Sequence, residues 1–245
     1  MVSRYYYGSL VTLDDSTMDA TTRAAAAWDA EYINGRYAAE PPVRFVTDIF
    51  TAVQEHDLTG GDGLYVGCGN GRNYLPLSRA GLSLTGLDIS ALALQQLTER
   101  APEYRRHLIH GNLDALPPDR MFDLVIGIQV FQHGDRYTTH RALHQAQQKL
   151  NSGGLFCLRV NAVGTDLWPD HEVTERHIDG GFTIRYLAGP KSGLQVHFFS
   201  ESELTGLFEN GFQPVLPLRL DQTYRPPPQP GQWSQWEAIW RKAVT

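Results

Sequence analysis

Apolar and polar positions alternate along this chain in two rhythms, one of helices and one of strands. Residues 24–34 are alanine-rich, and Trp28 and Tyr32 stand four apart on one face. A helix is expected there, stopped by Asn34-Gly35. A second helix is expected from Pro41-Pro42, with Val46, Ile49, Phe50 and Val53 as its apolar stripe. Short apolar runs at residues 63–66, 83–87, 107–110, 122–128 and 155–160 read as five strands. The segments between them read as helices. One begins near Asn73, with Pro76 in or near its first turn. One is capped by Ser90. One is capped by Asp135 and stopped by Asn151-Ser152-Gly153-Gly154. Such repetition implies a parallel sheet with right-handed crossovers.

The last third breaks that rhythm. Phe182, Ile184 and Tyr186 alternate, a turn runs from Gly189-Pro190 to Gly193, and Leu194, Val196 and Phe198 alternate again, which predicts a hairpin. Ser200-x-x-Glu203 is a capping box before a last helix. Residues 212–218 and 235–241 read as strands with no helix between them, so antiparallel pairing is expected. The Pro-rich run from Arg225 to Gly231 reads as a stiff connection between them.

The most informative stretch is Leu64-Tyr65-Val66-Gly67-Cys68-Gly69-Asn70-Gly71, a strand that enters a glycine-rich turn. Asp88 stands 17 positions after Gly71, at the end of the next strand. Glycines let backbone approach a ligand, and a carboxylate at that strand end can accept both hydroxyls of a ribose. The spacing is G-x-G-x-G, whereas dinucleotide sites use G-x-G-x-x-G. No Lys-Ser or Lys-Thr follows, so the phosphate loop of ATPases is absent.

The stretch from Leu64 to Arg72 resembles motif I of the class I S-adenosylmethionine-dependent methyltransferases, and the resemblance covers about residues 60–160. It implies an α/β fold with a doubly wound, Rossmann-like, seven-stranded sheet. The sheet would be mostly parallel with one antiparallel C-terminal strand, with helices on both faces and an N-terminal helical lid. It implies S-adenosyl-L-methionine as cofactor. In that reading Gly67, Cys68 and Gly69 face the aminoacyl tail, Asp88 takes the ribose hydroxyls and Ile89 packs on the adenine. His110-Gly111-Asn112-Leu113 resembles a family segment whose Gly-Asp pair binds the adenine amine. Asn112 replaces that acid but keeps an accepting oxygen, and Leu113 adds apolar contact. Tyr65 stands where the family usually carries an acid for the ammonium. The carbonyls of Gly67 and Gln129 are assigned to the ammonium instead, and Arg36 to the carboxylate. Trp28-Asp29-x-x-Tyr32 resembles small-molecule enzymes such as the tellurite and thiopurine methyltransferases.

Composition narrows the partners. With 245 residues, 42% hydrophobic and 20% charged, the chain suits one globular methyltransferase domain. Its expected parts are a lid (1–58), a cofactor core (60–160), an insertion with a hairpin (161–199), and a last helix with a strand pair (200–245). The net charge of −6 disfavours nucleic acid. No apolar run approaches the ~20 residues that cross a bilayer, so no membrane partner is expected. Cys68 and Cys157 are expected at separate buried strand ends without metal spacing, which points to a reduced, cytoplasmic setting. A monomer or homodimer is expected.

Gln129 to His133 follow strand four, the loop that faces the reacting methyl in this fold. His133 is read as the catalytic proton acceptor, working near neutrality. Trp28, Tyr32 and Trp168, with the hairpin, are read as an aromatic pocket for a flat or apolar small-molecule methyl acceptor. His140 and His144 read as solvated surface histidines, and His171, Glu172, Glu175 and His177 as a polar lid, so no metal site is expected. Two other functions stay open: a nucleotide-cofactor oxidoreductase, or a non-catalytic S-adenosylmethionine-binding regulator.

Overall fold

A computed structural model describes residues 19–37, 39–167, 170–225 and 231–244. Trp168 and the prolines of the 225–231 connection lie outside those residues. The chain opens with α1 (Ala20–Ile33) and α2 (Phe45–Glu55). Alternation follows as β1 (Asp62–Val66), α3 (Tyr74–Arg79), β2 (Ser83–Asp88), α4 (Ala91–Arg100), β3 (Leu108–His110), β4 (Phe122–Ile128), α5 (Arg136–Gln148) and β5 (Leu150–Asn161). The last third holds β6 (His171–Arg176), β7 (Phe182–Tyr186), β8 (Gln195–Phe198), α6 (Glu201–Phe208), β9 (Phe212–Tyr224) and β10 (Gln232–Lys242).

The main sheet has seven strands in the order β3-β2-β1-β4-β5-β10-β9. Neighbours among the first five are parallel, and β10 runs antiparallel to both β5 and β9. The strand order reverses between β1 and β4, where open α/β sheets bind ligands at their carboxyl ends. This is the doubly wound sheet with one antiparallel strand that the sequence analysis expects.

Both faces of the sheet are covered, which explains the unbroken apolar runs. Tyr65, Ile126 and Cys157 join a buried cluster with α2, α3 and α4. Their neighbours Leu64, Val66, Val125 and Phe156 point the other way, into a cluster with α5 and α6. Both cysteines are free and buried: Cys68 sits in the turn after β1, whereas Cys157 lies within β5 and not at the strand end expected.

Several boundaries differ from the expected ones. α1 starts at Ala20 because Asp19 caps it, accepting from the Thr21 and Thr22 amides at 2.9 and 3.1 Å. α2 begins at Phe45, after an extended Pro41-Pro42. Residues 151–154, expected only to stop a helix, belong to β5, whose pairing with β4 shifts register between Phe122 and Leu124. A full strand was also hidden. β6 pairs antiparallel with β7 and completes a separate three-stranded sheet with β8. Its polar composition and exposed or half-buried positions suit an edge strand, so it lacks the apolar alternation that marks β7 and β8.

Candidate active site

A cavity of about 590 Å³ opens at the carboxyl ends of β1, β2 and β4. Its wall includes Gly67, Cys68, Gly69, Asp88, Ile89, Asn112, Leu113 and Gln129, so the structure gathers these eight sequence candidates at one place. Gly69 has φ of +53°, the left-handed region that favours glycine, and a Cβ there would run into the Tyr32 hydroxyl. Asp88 is buried at the end of β2, and its two oxygens accept from the Gly69 and Ser90 amides at 2.7 and 2.8 Å. Burial raises its pKa while those two bonds oppose the rise. Each oxygen keeps a lone pair beyond these bonds.

The glycine turn differs from expectation in one respect. The Gly67 and Cys68 amides both donate to the Leu87 carbonyl, at 2.7 and 3.1 Å, and the Gly69 amide is held by Asp88. These N–H groups bind the turn to β2. What the turn offers the cavity is space and carbonyl oxygen. Asn70 adds a side-chain acceptor: it lines the cavity, and its Oδ1 is buried with no donor among the described residues. The Asn112 oxygen already accepts from the Asp114 amide at 3.0 Å, which leaves it one further lone pair.

The lid is fixed by α4. The Asp29 carboxylate accepts from the Ser90 hydroxyl and, at 3.3 Å, from the Leu92 amide, so α1 helps cap α4. That places Trp28 and Tyr32 over the glycine turn. Tyr32 lines the first cavity and not the second, buried against Gly69.

A second cavity of about 320 Å³ adjoins the first and shares Trp28, Tyr37, Gln129 and His133 with it. His133 therefore stands at the junction, its ring edge against Trp28 with centroids 5.0 Å apart. His133 Nε2 lies 3.0 Å from the Gln129 carbonyl. A carbonyl only accepts, so the ring carries its hydrogen on Nε2 and leaves the Nδ1 lone pair. Gln129 adopts φ of +59°, a conformation that costs a non-glycine residue on the order of 1–3 kcal/mol. Burial, followed by the positive charge of Lys191, pushes the His133 pKa down to about 3. The imidazole is neutral at physiological pH and is not the near-neutral base expected from sequence.

Arg36 is placed differently from its expected role. It lines the second cavity, not the first, with its guanidinium 4.7 Å from the Tyr37 ring centroid and Nε 3.7 Å from Glu31. Arg72, not among the residues expected from sequence to bind, lines the first cavity and lies 5.0 Å from the centroid of the same ring. Lys191 was also missed. It follows the Gly189-Pro190 turn, yet its ammonium sits 4.5 Å from the Trp28 ring centroid. Nothing in the sequence links residues so far apart.

The insertion sheet closes the second cavity and is tied to the β4 loop. Gly134 donates to the Gln195 carbonyl at 2.9 Å and His197 to the Gln132 carbonyl at 2.8 Å. Behind this seam lies buried Glu203, which accepts from His140 at 2.6 Å, His197 at 3.0 Å and Arg136 at 3.0 Å. Thr183 bridges His197 and Glu175 at 2.9 and 2.8 Å. His140 is thus a partner in an ion-pair network, not a solvated histidine. Glu175 belongs to that network, whereas Glu172 forms an exposed pair with Arg185 at 2.9 Å. No group of three or more metal-type side chains is arranged for a metal among the described residues. No helix among them is long and apolar enough to cross a membrane.

A family model described as a methyltransferase domain matches residues 64–154, the stretch from the glycine turn to the start of β5. Over that stretch the chain is similar to methyltransferase domains, and its sheet has the class I S-adenosylmethionine-dependent methyltransferase order. Its relatives include the ubiquinone biosynthesis O-methyltransferase of Rickettsia akari, 30% identical over 100 residues, with 38% of each chain covered. This match thus spans well under half of that enzyme's length. The phthiotriol/phenolphthiotriol dimycocerosates methyltransferase 1 of Mycobacterium ulcerans is 25% identical over 194 residues, covering 71% of this chain and 68% of that one. The fold is shared by the CcbJ methyltransferase of Streptomyces caelestis, with TM-score 0.61, 15% identity and 90% and 99% of the two chains covered. It is shared too by the 1,6-didemethyltoxoflavin-N1-methyltransferase of Burkholderia thailandensis, with TM-score 0.61, 18% identity and 94% and 93% covered.

Proposed function

We propose that this protein transfers a methyl group from S-adenosylmethionine to a small-molecule acceptor, with the cofactor in the larger cavity and the acceptor in the smaller. The observation that carries this reading is the buried Asp88 carboxylate, held by two backbone amides beside a glycine turn that leaves room for a ligand. Three features fit the cofactor. Asp88 has two lone pairs for a pair of ribose hydroxyls. Ile89 and Leu113 supply apolar walls for an adenine, with the remaining Asn112 lone pair for its amine. The Asn70 oxygen and the Gly67 carbonyl supply acceptors for an ammonium in place of the acid that Tyr65 displaces. Arg72 replaces Arg36 as the cation for the carboxylate, because Arg72 lines the first cavity and Arg36 only the second; Arg72 also pairs with Glu40 at 3.0 Å and donates to the Pro41 carbonyl at 2.7 Å.

When bound, S-adenosylmethionine supplies an electrophilic methyl on a sulfonium. The chain's own residues position the acceptor and keep the junction dry. Trp28 and the insertion sheet cover the junction, and holding the nucleophile in line accounts for much of the acceleration in such displacements. The Nδ1 of His133 can accept a hydrogen bond from the acceptor, and its strained neighbour Gln129 fixes the ring. We read residues 161–199 as the acceptor's cover.

Calorimetric titration of the protein with S-adenosylmethionine and with NAD tests the cofactor. The expected result is binding of the first and not the second. NAD binding alone would sink the reading and favour an oxidoreductase. Transfer of labelled methyl to an acceptor panel then separates the enzyme from a non-catalytic regulator.

A further inference from the structure

The second cavity carries a charge that the rest of the protein does not. The chain has a net charge of −6, yet the described wall of this cavity holds Arg36, Lys191 and Arg225 against Glu31 alone. Several of its neutral polar groups already have partners within the protein. Gln132 Oε1 accepts from the Asn161 amide at 2.8 Å. Asn161 Oδ1 accepts from Trp233 Nε1 at 3.3 Å, and the Thr165 hydroxyl is given to main-chain carbonyls at 2.9 and 3.0 Å. What remains is cationic. The Lys191 ammonium has no carboxylate within 4.0 Å among the described residues and rests on the Trp28 face. Burial pushes its pKa down to about 8, so it is still mainly protonated at neutral pH. Arg36 spends one nitrogen on a 3.4 Å contact to Tyr37 and faces Glu31 at 3.7 Å, which leaves donors of its fork free.

The remaining wall is largely aromatic. Trp28, Tyr37, Tyr186, Phe198 and Trp233 all border the space. Aromatic faces on several sides favour a planar guest, and unspent cations favour an anion. We infer that the methyl acceptor is a planar, conjugated anion, held by Lys191 and Arg36 and stacked among these rings. This rests on the reading of the two cavities given above. It also accounts for the weakness of His133 as a base. An acceptor that arrives ionised, its charge matched by Lys191 and Arg36, needs no proton removed at the junction.

The test uses 3-hydroxy-2-naphthoate and its neutral counterpart 3-hydroxy-2-naphthamide as probes. Each is titrated by calorimetry at neutral pH into the full-length protein, with and without saturating S-adenosylhomocysteine. The carboxylate is expected to bind at least about tenfold more tightly than the amide, as a charge-assisted contact exceeds a neutral one. The Lys191→Met, Arg36→Met double variant is expected to lose that preference while keeping its S-adenosylhomocysteine affinity within about twofold, which also shows that it folds. Equal binding of the two probes, no binding of either, or a preference that survives in the double variant would overturn the inference. Failure of S-adenosylhomocysteine to bind the wild type refutes the cofactor reading instead, and the titrations without it still decide the question of the anion.

Discussion

Two cavities meet at His133, and they are built in opposite ways. The larger is made from main chain at the ends of adjacent parallel strands: a glycine turn, a carboxylate fixed by two amides, and short apolar residues at the switch point. The smaller is made from side chains that arrive from α1, the β4 loop, the turn before β8 and the ends of the last strands. One depends on backbone geometry that a short motif can specify. The other depends on tertiary contacts, above all the network around Glu203 that docks the insertion sheet. The contrast teaches that the two cavities can be damaged separately.

The largest expected effect is on the acceptor side. Glu203→Ala removes the centre of a buried ion-pair network and should cost ~3–5 kcal/mol of stability, because it takes the carboxylate from fully buried His197 and leaves Arg136 with Asp179 alone. Chemical denaturation measures it, and a loss under about 1 kcal/mol would contradict the network's role. In the protein that remains folded, S-adenosylhomocysteine affinity should stay within about twofold. A parallel collapse of cofactor binding would erase the comparison.

Asp88→Ala probes the other side. It should weaken cofactor binding by about 100-fold, the worth of two hydrogen bonds to a carboxylate, while binding of an aromatic anion to the second cavity holds within about twofold. Unchanged cofactor affinity by calorimetry would remove Asp88 from the site.

The division also explains what the sequence made legible. Gly67, Gly69, Asp88, Ile89, Asn112 and Leu113 were readable because each lies at a strand end whose position follows from period and turn chemistry. Ser90, Asp135 and the Ser200 capping box were readable because caps are local, and all three form. Lys191 was not, and Arg36 was read for the other cavity. A lysine after Gly-Pro and an arginine after a helix end have no local signature, and only the packing of α1 against α4 and of β8 against the β4 loop brings them together. His133 was legible as a position but not as a chemical state, since its burial and its lysine neighbour are tertiary facts. β6 was missed because an edge strand of polar residues has no apolar rhythm to read.

A pH scan sharpens the acceptor side further. Burial works against the Glu203 charge, but the hydrogen bonds from His140 and His197 and the Arg136 charge hold its pKa down to about 2, against an ordinary 4.5. A carboxyl lowered on folding contributes stability that is fully present above its unfolded value and is lost as pH falls. The contribution should therefore decline between about pH 4.5 and 2. Denaturation midpoints of the wild type should fall more steeply over that window than those of Glu203→Gln, and parallel profiles would contradict the assignment.

The smallest expected effect concerns the lid. Ser90→Ala deletes a cap that accepts from the Ala93 amide at 3.0 Å and frees Asp29 of α1. It should cost about 1 kcal/mol in denaturation. A loss above about 3 kcal/mol would mean that the cofactor side depends on more than local geometry.

The most direct measurement is a crystal structure of the protein with S-adenosylhomocysteine. The account predicts both ribose hydroxyls on Asp88, the adenine between Ile89 and Leu113, and the sulfur directed at the wall shared by Gln129 and His133. A nucleoside lodged in the cationic cavity, or a ribose that leaves Asp88 bound only to Gly69 and Ser90, would contradict it.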